Sequence, residues 1–270
     1  MTLHVLPGIE HRIEDFELDP ELVAQLWVME DRHFWHAARN GWILRALEMQ
    51  GVRPPARVLE VGCGSGAVAS ALHDAGFQVT GIDTAEVLIR KAHQRCPAAT
   101  FIAGNLSDLP ADHGPFDAIC LFDVLEHVTD PRSLLQMAAA RARPGALVIA
   151  TVPALRSLHT VIDDLSGHKK RYEPGELAEL MRQAGLRDVA EYGIFRWITS
   201  LLRFFRRRAV AEDAAQLGPE RRKQIMAANM RLPPRPIDLA LRILCTLERL
   251  TFSRARDRPG ATALAVARVV

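Results

Sequence analysis

The sequence has few cysteines, few tyrosines and no long apolar run. Its 270 residues include only two tyrosines and four cysteines, which lie far apart at Cys63, Cys96, Cys120 and Cys245. This spacing excludes the disulfide framework of a small secreted protein and indicates reduced thiols. No stretch approaches the roughly 18 apolar residues of a membrane-spanning helix, and segment 1–21 lacks the apolar core of a signal peptide. We therefore expect a cytoplasmic protein.

Metal-binding and nucleic-acid-binding patterns are also missing from the sequence. The histidines and carboxylates do not fall at the spacings that are typical of zinc or magnesium sites. No recognised RNA-binding or DNA-binding module is present. We expect no bound metal and no nucleic-acid partner.

Charge is distributed unevenly along the chain. Up to Gly193 there are 18 lysines and arginines against 26 acidic residues, whereas from Ile194 onward there are 16 against 6. The basic C-terminal part suggests an anionic partner or surface, and a solvated arginine-rich face explains it equally well.

The middle of the chain alternates between strand-like and helix-like segments. Two helical segments at 20–29 and 34–47 come first and end before Pro54 and Pro55. The alternation then predicts an α/β protein with a doubly wound, mostly parallel sheet. Strands are predicted near 57–61, 78–82, 100–103, 116–121, 146–152 and 189–195, with helices near 65–75, 85–95, 131–142 and 174–184.

A further strand is predicted at the end of the chain, in the apolar segment 262–270. Roughly 65 residues connect the strand near 189–195 to it, and a connection of that length within a compact domain is usually functional or disordered. We expect four parts, which are an N-terminal helical lid at 1–54, an α/β core at 55–195, a basic helical insertion at 196–260 and the last strand of the core sheet at 261–270.

The segment Arg57–Gly66 predicts a buried strand, a glycine turn and a helix N-terminus, where a ligand can approach bare backbone. Its glycines formally fit the dinucleotide fingerprint. However, Glu60 places an acid beside the loop, which favours a ligand that carries an ammonium group. Asp83 ends the next strand, where a carboxylate accepts hydrogen bonds from both ribose hydroxyls.

Together with Phe116–Val128, this glycine motif resembles the class I S-adenosylmethionine-dependent methyltransferases over roughly 32–191. The resemblance implies a Rossmann-like seven-stranded sheet whose last strand is antiparallel and lies next to the sixth. It also implies S-adenosylmethionine (SAM) as the cofactor and S-adenosylhomocysteine as its product. The segments Leu125–Val128 and Gly167–Tyr172 look similar to the branch of ubiquinone-biosynthesis O-methyltransferases and of tailoring enzymes for polysaccharides and natural products.

The resemblance assigns the cofactor-binding residues by position. It places Glu60, Gly62, Cys63, Gly64 and Gly66 around the methionine part. Asp83 binds the ribose with Thr84 beside it, Asn105 and Leu106 flank the adenine, and Phe122 and Asp123 close the pocket near the amino group. In the lid, Trp35 is expected to cover the cofactor and Arg39 to reach its carboxylate, although aromatic residues at helical spacing also suit plain core packing.

Two histidines are candidates for the base that an oxygen nucleophile needs. His127 follows a strand at the carboxyl edge of the predicted sheet, where it serves either as the base or as packing beneath the cofactor. His168 lies in a polar loop with Lys169, Arg171 and Tyr172, which we expect to contact the substrate, for example a carboxylate or phosphate.

The most direct interpretation is methyl transfer, an in-line displacement, to a hydroxyl of a small or lipid-like molecule. A nitrogen or carboxylate acceptor remains open, as does a membrane-peripheral or regulatory SAM-binding protein without transfer activity. An NAD-dependent reductase is disfavoured by Glu60 and by the segment Phe116–Val128. The segment 196–208 mixes arginines with Trp, Leu and Phe, which suits either peripheral contact with the inner membrane face or a cap over the substrate pocket.

Overall fold

The structure, a computed structural model, describes residues 4–5, 19–206 and 213–270. Its centre is one mixed sheet that carries the seven predicted strands and a short additional strand at one edge. The strands are β1 (His4–Val5), β2 (Arg57–Val61), β3 (Gln78–Asp83), β4 (Thr100–Ala103), β5 (Phe116–Phe122), β6 (Ala142–Pro153), β7 (Arg187–Ile194) and β8 (Thr262–Arg268).

The strand order is β1-β4-β3-β2-β5-β6-β8-β7. All neighbouring pairs from β1 to β6 are parallel, whereas β8 is antiparallel to both β6 and β7. The predicted doubly wound sheet with an inserted antiparallel last strand is therefore confirmed. Because β2 lies between β3 and β5 and the connections run outward in both directions, its carboxyl end marks the crevice where such sheets bind ligands.

Helices cover both faces of the sheet. They also form the N-terminal segment before β2 and the insertion between β7 and β8. They are α1 (Pro20–Arg32), α2 (Phe34–Met49), α3 (Ala67–Asp74), α4 (Glu86–Arg95), α5 (Pro131–Ala139), α6 (Val161–Leu165), α7 (Glu176–Gln183), α8 (Arg196–Arg206), α9 (Pro219–Asn229) and α10 (Arg235–Leu250). The helix predicted near 131–142 ends earlier, because Ala142 already pairs with Phe116 at the start of β6.

The central strands are buried because helices cover both of their faces. Side chains of β5 and β6 such as Ile119, Leu121 and Val148 are fully inaccessible to solvent. Glu60 in β2 and Thr151 in β6 are buried polar exceptions within this apolar core. Both lie near the carboxyl ends of their strands, so the sheet itself brings polar groups to the crevice.

The N-terminal helices and the insertion pack against one another, with contacts between α2 and α10 and between α1 and α9. Asp238 of α10 accepts a hydrogen bond from the backbone N–H of Phe34 at 3.0 Å. Arg242, one turn later, pairs with Asp238 and donates to the carbonyl of Arg32. The insertion therefore holds the junction between α1 and α2 in place.

The segment predicted at 196–208 begins as a helix, α8, and its last two positions lie outside the described residues. The buried carboxylate of Glu248 in α10 accepts hydrogen bonds from the first backbone amides of α8, at Arg196 and Trp197. Among the described helices, none has both the length and the apolar character that crossing a bilayer requires.

Candidate functional site

The glycine loop connects β2 to α3 in a left-handed backbone conformation that glycine adopts far more easily than other residues. Gly62, Gly64 and Gly66 have φ values of +72°, +51° and +76°. A Cβ atom added at Gly62 would lie 2.5 Å from the Val124 side chain, whereas one at Gly64 would meet nothing within 4 Å. Gly62 is thus required for packing, and Gly64 borders an open space that a ligand can occupy.

Asp83, at the end of β3, fixes the shape of this open space. One carboxylate oxygen accepts a hydrogen bond from the Gly64 N–H at 2.8 Å, and the other accepts one from the Ala85 N–H at 2.9 Å. Thr84 is exposed beside it. The expected ribose-binding acid therefore also holds the glycine loop against the neighbouring strand.

Cys63 contributes backbone rather than side chain to the loop. Its thiol is buried and points beneath the loop, toward Gly81 of β3. Burial raises the pKa of this thiol well above its ordinary value.

Glu60 is a buried acid with an unpaired oxygen. Its side chain is 2% exposed, and within the described structure its Oε2 atom has no hydrogen-bond partner. Burial raises the pKa of Glu60 to about 8, against the lowering effect of the Arg39 charge. An unpaired buried carboxyl beside an open cradle fits a ligand with a cationic group.

The second helix supplies a cation to the same place. Arg39 forms an ion pair with Asp123, whose other carboxylate oxygen accepts a hydrogen bond from the Thr151 hydroxyl at 3.0 Å. Asp123 follows β5 directly and has a φ of +55°, a conformation that is uncommon outside glycine. The contact that we expect between Arg39 and the cofactor carboxylate stays a prediction.

Two further polar residues of α2 face the interior, and the sequence analysis missed both. His36 Nδ1 and Asn40 Oδ1 are buried and lack hydrogen-bond partners in the described part of the chain. Burial lowers the pKa of His36 well below its ordinary value, so its imidazole is neutral. The helical spacing could have indicated this, because positions 36, 39 and 40 share one face of the predicted helix.

The first helix also contacts the glycine loop, through a network that the sequence did not reveal. Arg95 of α4 donates to Glu30 of α1 at 2.8 Å and to the Ser65 carbonyl at 2.9 Å, and the Ser65 hydroxyl donates to Glu30. The Arg95 guanidinium also stacks over Trp27 at 4.0 Å. These contacts attach α1 directly to the loop that forms the pocket.

The remaining residues that are expected to contact the cofactor differ in their exposure to solvent. Trp35 stacks on Phe195, with ring centroids 3.5 Å apart and planes within 5°. Asn105 is exposed beyond β4, whereas the side chains of Leu106 and Phe122 are each 5% exposed and lie in the core. Trp35 as the cofactor cover stays a prediction, as do the adenine contacts.

The two candidate histidines lie side by side, although 41 positions separate them in the sequence. The ring centroids of His127 and His168 are 4.9 Å apart in an edge-to-face arrangement. The loops that carry them are tied together, because Lys169 N–H donates to the Glu126 carbonyl at 2.8 Å and Tyr172 donates to the Leu125 carbonyl at 3.2 Å.

Asp163, which the sequence analysis did not select, organises the second loop. Its Oδ1 atom lies 3.0 Å from His168 Nδ1 and accepts a hydrogen bond from Arg171 at 2.8 Å. Although burial acts to raise it, the pKa of Asp163 lies well below its ordinary value because His168 and Arg171 stabilise the carboxylate. Because an ionised carboxylate only accepts hydrogen bonds, His168 Nδ1 is the donor in this pair.

The three expected substrate contacts differ in exposure. Arg171 and Tyr172 are buried, and their polar groups bond to Asp163, to the Ala154 carbonyl and to the Leu125 carbonyl. Lys169 is exposed and donates to the hydroxyl of Thr129. These contacts support a structural role for Arg171 and Tyr172. Of the three residues, Lys169 is the one that a ligand reaches most directly.

Comparisons with known proteins find relatives both by sequence and by structure. A methyltransferase-domain family matches residues 33–191. The ubiquinone biosynthesis O-methyltransferase of Bordetella parapertussis is 30% identical over 210 residues, which cover 70% of this chain and 86% of that protein.

Two solved structures share the fold at low sequence identity. The first is the complex between the Trm112 methyltransferase activator and a methyltransferase of Haloferax volcanii, with a TM-score of 0.59 and 20% identity over 97% of this chain and 99% of that one. The second is phosphoethanolamine N-methyltransferase 2 of Haemonchus contortus in complex with SAM, with a TM-score of 0.59 and 15% identity over 94% of this chain and 59% of that one.

Proposed function

The chain belongs to the SAM-dependent methyltransferases, and from that premise we propose that it methylates an oxygen atom of a small or lipid-like acceptor with the help of a histidine base. The observation that carries the proposal is the pair His127 and His168 at the carboxyl edge of the sheet, with Asp163 orienting His168. The O-methyltransferase activity of the Bordetella relative supports an oxygen acceptor.

The pocket residues fit the cofactor. Glu60, Asp83 and Asp123 offer carboxylates near an open cradle at Gly64, and Glu60 keeps one oxygen unpaired. Asp83 would bind the ribose hydroxyls, while Glu60 and Asp123 would face the amino-acid part. When bound, SAM supplies a methyl group that its sulfonium makes reactive.

The role of the histidines follows from the orientation of their rings. Asp163 accepts a hydrogen bond from His168 Nδ1, so Nε2 is the ring atom that would accept a proton from an acceptor hydroxyl. Burial, and secondarily the neighbouring His168, lower the pKa of His127 to about 4, which keeps its imidazole neutral. In this proposal His168 removes the proton, His127 borders the same space, and Lys169 binds an anionic group of the acceptor.

Two alternatives differ in chemistry. A nitrogen or carboxylate acceptor needs less help from a base, since a neutral amine or an ionised carboxylate is already nucleophilic. A SAM-binding protein that transfers nothing would have no use for an oriented histidine. The alignment of Asp163 with His168 therefore favours a hydroxyl acceptor.

A panel of phenolic, alcoholic, carboxylate and amine acceptors tests the proposal, with product formation followed by mass spectrometry. We expect methylation of a hydroxyl, and His168→Gln should lower kcat by roughly 10²- to 10⁴-fold while SAM affinity is retained. His159→Gln is the matched control, because that histidine is exposed and pairs with Asp164 outside the site. Equal kcat values for His168→Gln and His159→Gln would contradict the role of His168 as the base.

We also propose peripheral contact with an anionic membrane surface through α8 and α10. Large apolar side chains of α8 are about half exposed, at Trp197 (45%), Leu201 (46%) and Phe204 (49%). In α10 the exposed apolar side chains Leu239, Ile243, Leu247 and Leu250 recur at spacings of three and four residues. The surrounding C-terminal part is strongly basic, which suits anionic lipid headgroups.

Liposome flotation tests the membrane proposal with anionic and neutral vesicles. We expect the full chain to float with anionic vesicles only, and Ile243→Glu combined with Leu247→Glu should abolish flotation. Met137→Glu is the control, since Met137 is 43% exposed on α5, away from both helices. Unchanged flotation of the double variant, or no flotation of the intact chain, contradicts the proposal.

A further inference from the structure

A second cavity lies at the amino edge of the sheet, opposite the cofactor crevice. Its volume is about 690 Å³, which is the size of pockets that bind small molecules. Residues of segments 52–54 and 75–77, which precede β2 and β3, line it together with α2 and the end of α10. The loops that are expected to bind the cofactor follow the opposite ends of these strands, so this cavity is a separate place in the molecule.

Part of the cavity lining is apolar. Leu44 of α2 and Val52 pack partly buried against the main core, and Phe77, just before β3, is 5% exposed. Pro54 and Ala75 complete this part of the lining. An apolar group that enters the cavity would leave water and contact these side chains, which is favourable.

Arginine dominates the polar part of the lining. Arg45, Arg53 and Arg249 face a single acid, Glu48. Arg45 forms an ion pair with Glu48 at 2.5 Å. The guanidinium groups of Arg53 and Arg249 have neither an ion pair nor a hydrogen bond within the part of the chain that the structure describes. The cavity therefore offers two cations that can bind an anionic group from outside the chain.

Gly41 of α2 determines where the Arg249 guanidinium lies. A Cβ atom added at Gly41 would lie 1.7 Å from Arg249 Nη1, so the guanidinium occupies the space that a side chain would fill. Arg249 is only partly exposed in this position. Glycine is unfavourable in the middle of a helix, but at this position it allows Arg249 to lie against α2 at the edge of the cavity.

The two kinds of lining indicate the class of ligand. Arginine binds carboxylate and phosphate groups through paired hydrogen bonds and stays charged at physiological pH. Unpaired guanidinium groups beside apolar side chains suit a ligand that combines an anionic group with an apolar body. We propose that this cavity binds a small soluble molecule of that class, an aromatic or aliphatic carboxylate or phosphate, through Arg53 and Arg249. The site does not depend on which atom the enzyme methylates.

Three probes test the ligand class in calorimetric titrations of the full chain. 2-Naphthoate carries both an anionic group and an apolar body, 2-naphthamide lacks the charge, and acetate lacks the apolar body. We expect one 2-naphthoate per chain, bound at least about tenfold more tightly than either of the other probes. No binding of 2-naphthoate, or equal affinity for all three probes, overturns the proposal.

Variants assign the probe to this cavity. Arg53→Gln and Arg249→Gln should each weaken 2-naphthoate binding at least about tenfold, because each removes a charged hydrogen-bond donor. Arg90→Gln is the control, since Arg90 of α4 pairs with Glu86 and does not line the cavity. Equal affinity of the three variants for 2-naphthoate would overturn the site.

Gly41→Ala separates the position of the guanidinium from its charge. The added methyl group displaces Arg249 Nη1, so 2-naphthoate should bind more weakly although every arginine is retained. Alanine favours the interior of a helix more than glycine does, so the melting temperature should stay the same or rise. A variant that binds 2-naphthoate as tightly as the unaltered chain would contradict the role of Arg249.

Two further measurements distinguish this cavity from the other proposed sites. The chain saturated with SAM should still bind 2-naphthoate, and displacement of the probe by SAM would overturn a separate site. Gly41→Ala should float with anionic vesicles like the unaltered chain. Reduced flotation of this variant, together with no binding of 2-naphthoate to the unaltered chain, would assign Arg249 to a lipid headgroup and overturn the soluble ligand.

Discussion

Arg39 of α2 forms an ion pair with Asp123, the residue that follows β5. The pair connects the N-terminal helices to the crevice at the carboxyl edge of the sheet. The Arg39 charge also acts on Glu60, whose buried carboxyl lies in the same pocket. Asp123 and Glu60 are both expected to bind the cofactor. The Arg39 guanidinium therefore connects these two acids to α2, which lies outside the core sheet.

Arg39→Ala should weaken both the fold and cofactor binding, because it leaves Asp123 and Glu60 without their shared cation. We expect the free energy of unfolding to fall by about 1–3 kcal/mol and the Kd for SAM to rise, as measured by chemical denaturation and calorimetry. The control is Arg45→Ala on the same helix, whose exposed pair with Glu48 should contribute less than about 0.5 kcal/mol. Equal losses in the two variants would contradict this role.

Two glycines of the loop should respond differently to alanine. Gly62→Ala places a methyl group against Val124 and should lower the melting temperature strongly. Gly64→Ala meets no protein atom, so it should cost roughly 1 kcal/mol of backbone strain yet weaken SAM binding at least about tenfold, since the methyl group enters the cradle.

Gly145→Ala is the matched control for Gly64→Ala. It also has a positive φ, of +77°, and open space around it, but it lies in β6 away from the loop. Calorimetry should show unchanged SAM affinity for Gly145→Ala. If both alanine variants bind SAM equally well, the open space at Gly64 is not the cofactor cradle.

SAM binding should release a proton from Glu60. Since the pKa of Glu60 is raised from 4.5 to about 8, the free protein holds this proton at pH 6–7. A cationic ligand favours the ionised carboxylate, so binding expels the proton. Calorimetry at pH 7 in buffers of different ionisation enthalpy should detect it, and Glu60→Gln should lose the release and bind SAM more weakly.

The same pKa also predicts how stability depends on pH. Between about pH 4.5 and 8 the folded chain holds a proton on Glu60 that the unfolded chain has lost. The stability of the cofactor-free protein should therefore fall as pH rises through this range, and Glu60→Gln should reduce that slope. Glu48→Gln on the surface should leave the slope unchanged.

Asp163→Asn should destabilise the loop that carries His168. The substitution leaves the buried Arg171 guanidinium without its carboxylate, a change that typically costs about 3–5 kcal/mol. Because the folded pKa of Asp163 is lowered, its contribution is present above about pH 4 and is lost as pH falls below that value.

Thermal unfolding between pH 3 and 7 checks the Asp163 prediction. The variant should show a lower melting temperature at pH 7 and a smaller decrease toward acid pH than the unaltered chain. Asp164→Asn is the control, because Asp164 is exposed and its one ion pair among the described residues is with the exposed His159. A similar melting temperature for both variants would show that the Asp163 contacts do not hold the loop.

Local sequence patterns were sufficient to predict most of the fold. The strand Arg57–Val61 was predicted with its observed limits, since a short apolar run between a proline pair and a glycine turn has few other conformations. β1 was not predicted, because its two residues carry no periodicity and pair with β4 only in the folded chain.

Site residues that directly follow a strand, such as Asp83 and Asp123, could also be predicted from the sequence. Contacts between distant segments could not be predicted. Nothing near Asp163 indicates that it orients His168, and nothing near Glu126 indicates that its carboxyl group remains buried without a partner. Such relationships depend on how loops pack, which side-chain periodicity does not encode.

The most direct test of the central claim uses SAM that carries a trideuteromethyl group. The full chain is incubated with this cofactor and an extract of its source, and labelled products are identified by mass spectrometry and by the position of the label. We expect one labelled product class with the methyl group on oxygen, formed by the unaltered chain and by His159→Gln, and lost with His168→Gln. A label on nitrogen, or bound SAM without any labelled product, would contradict it.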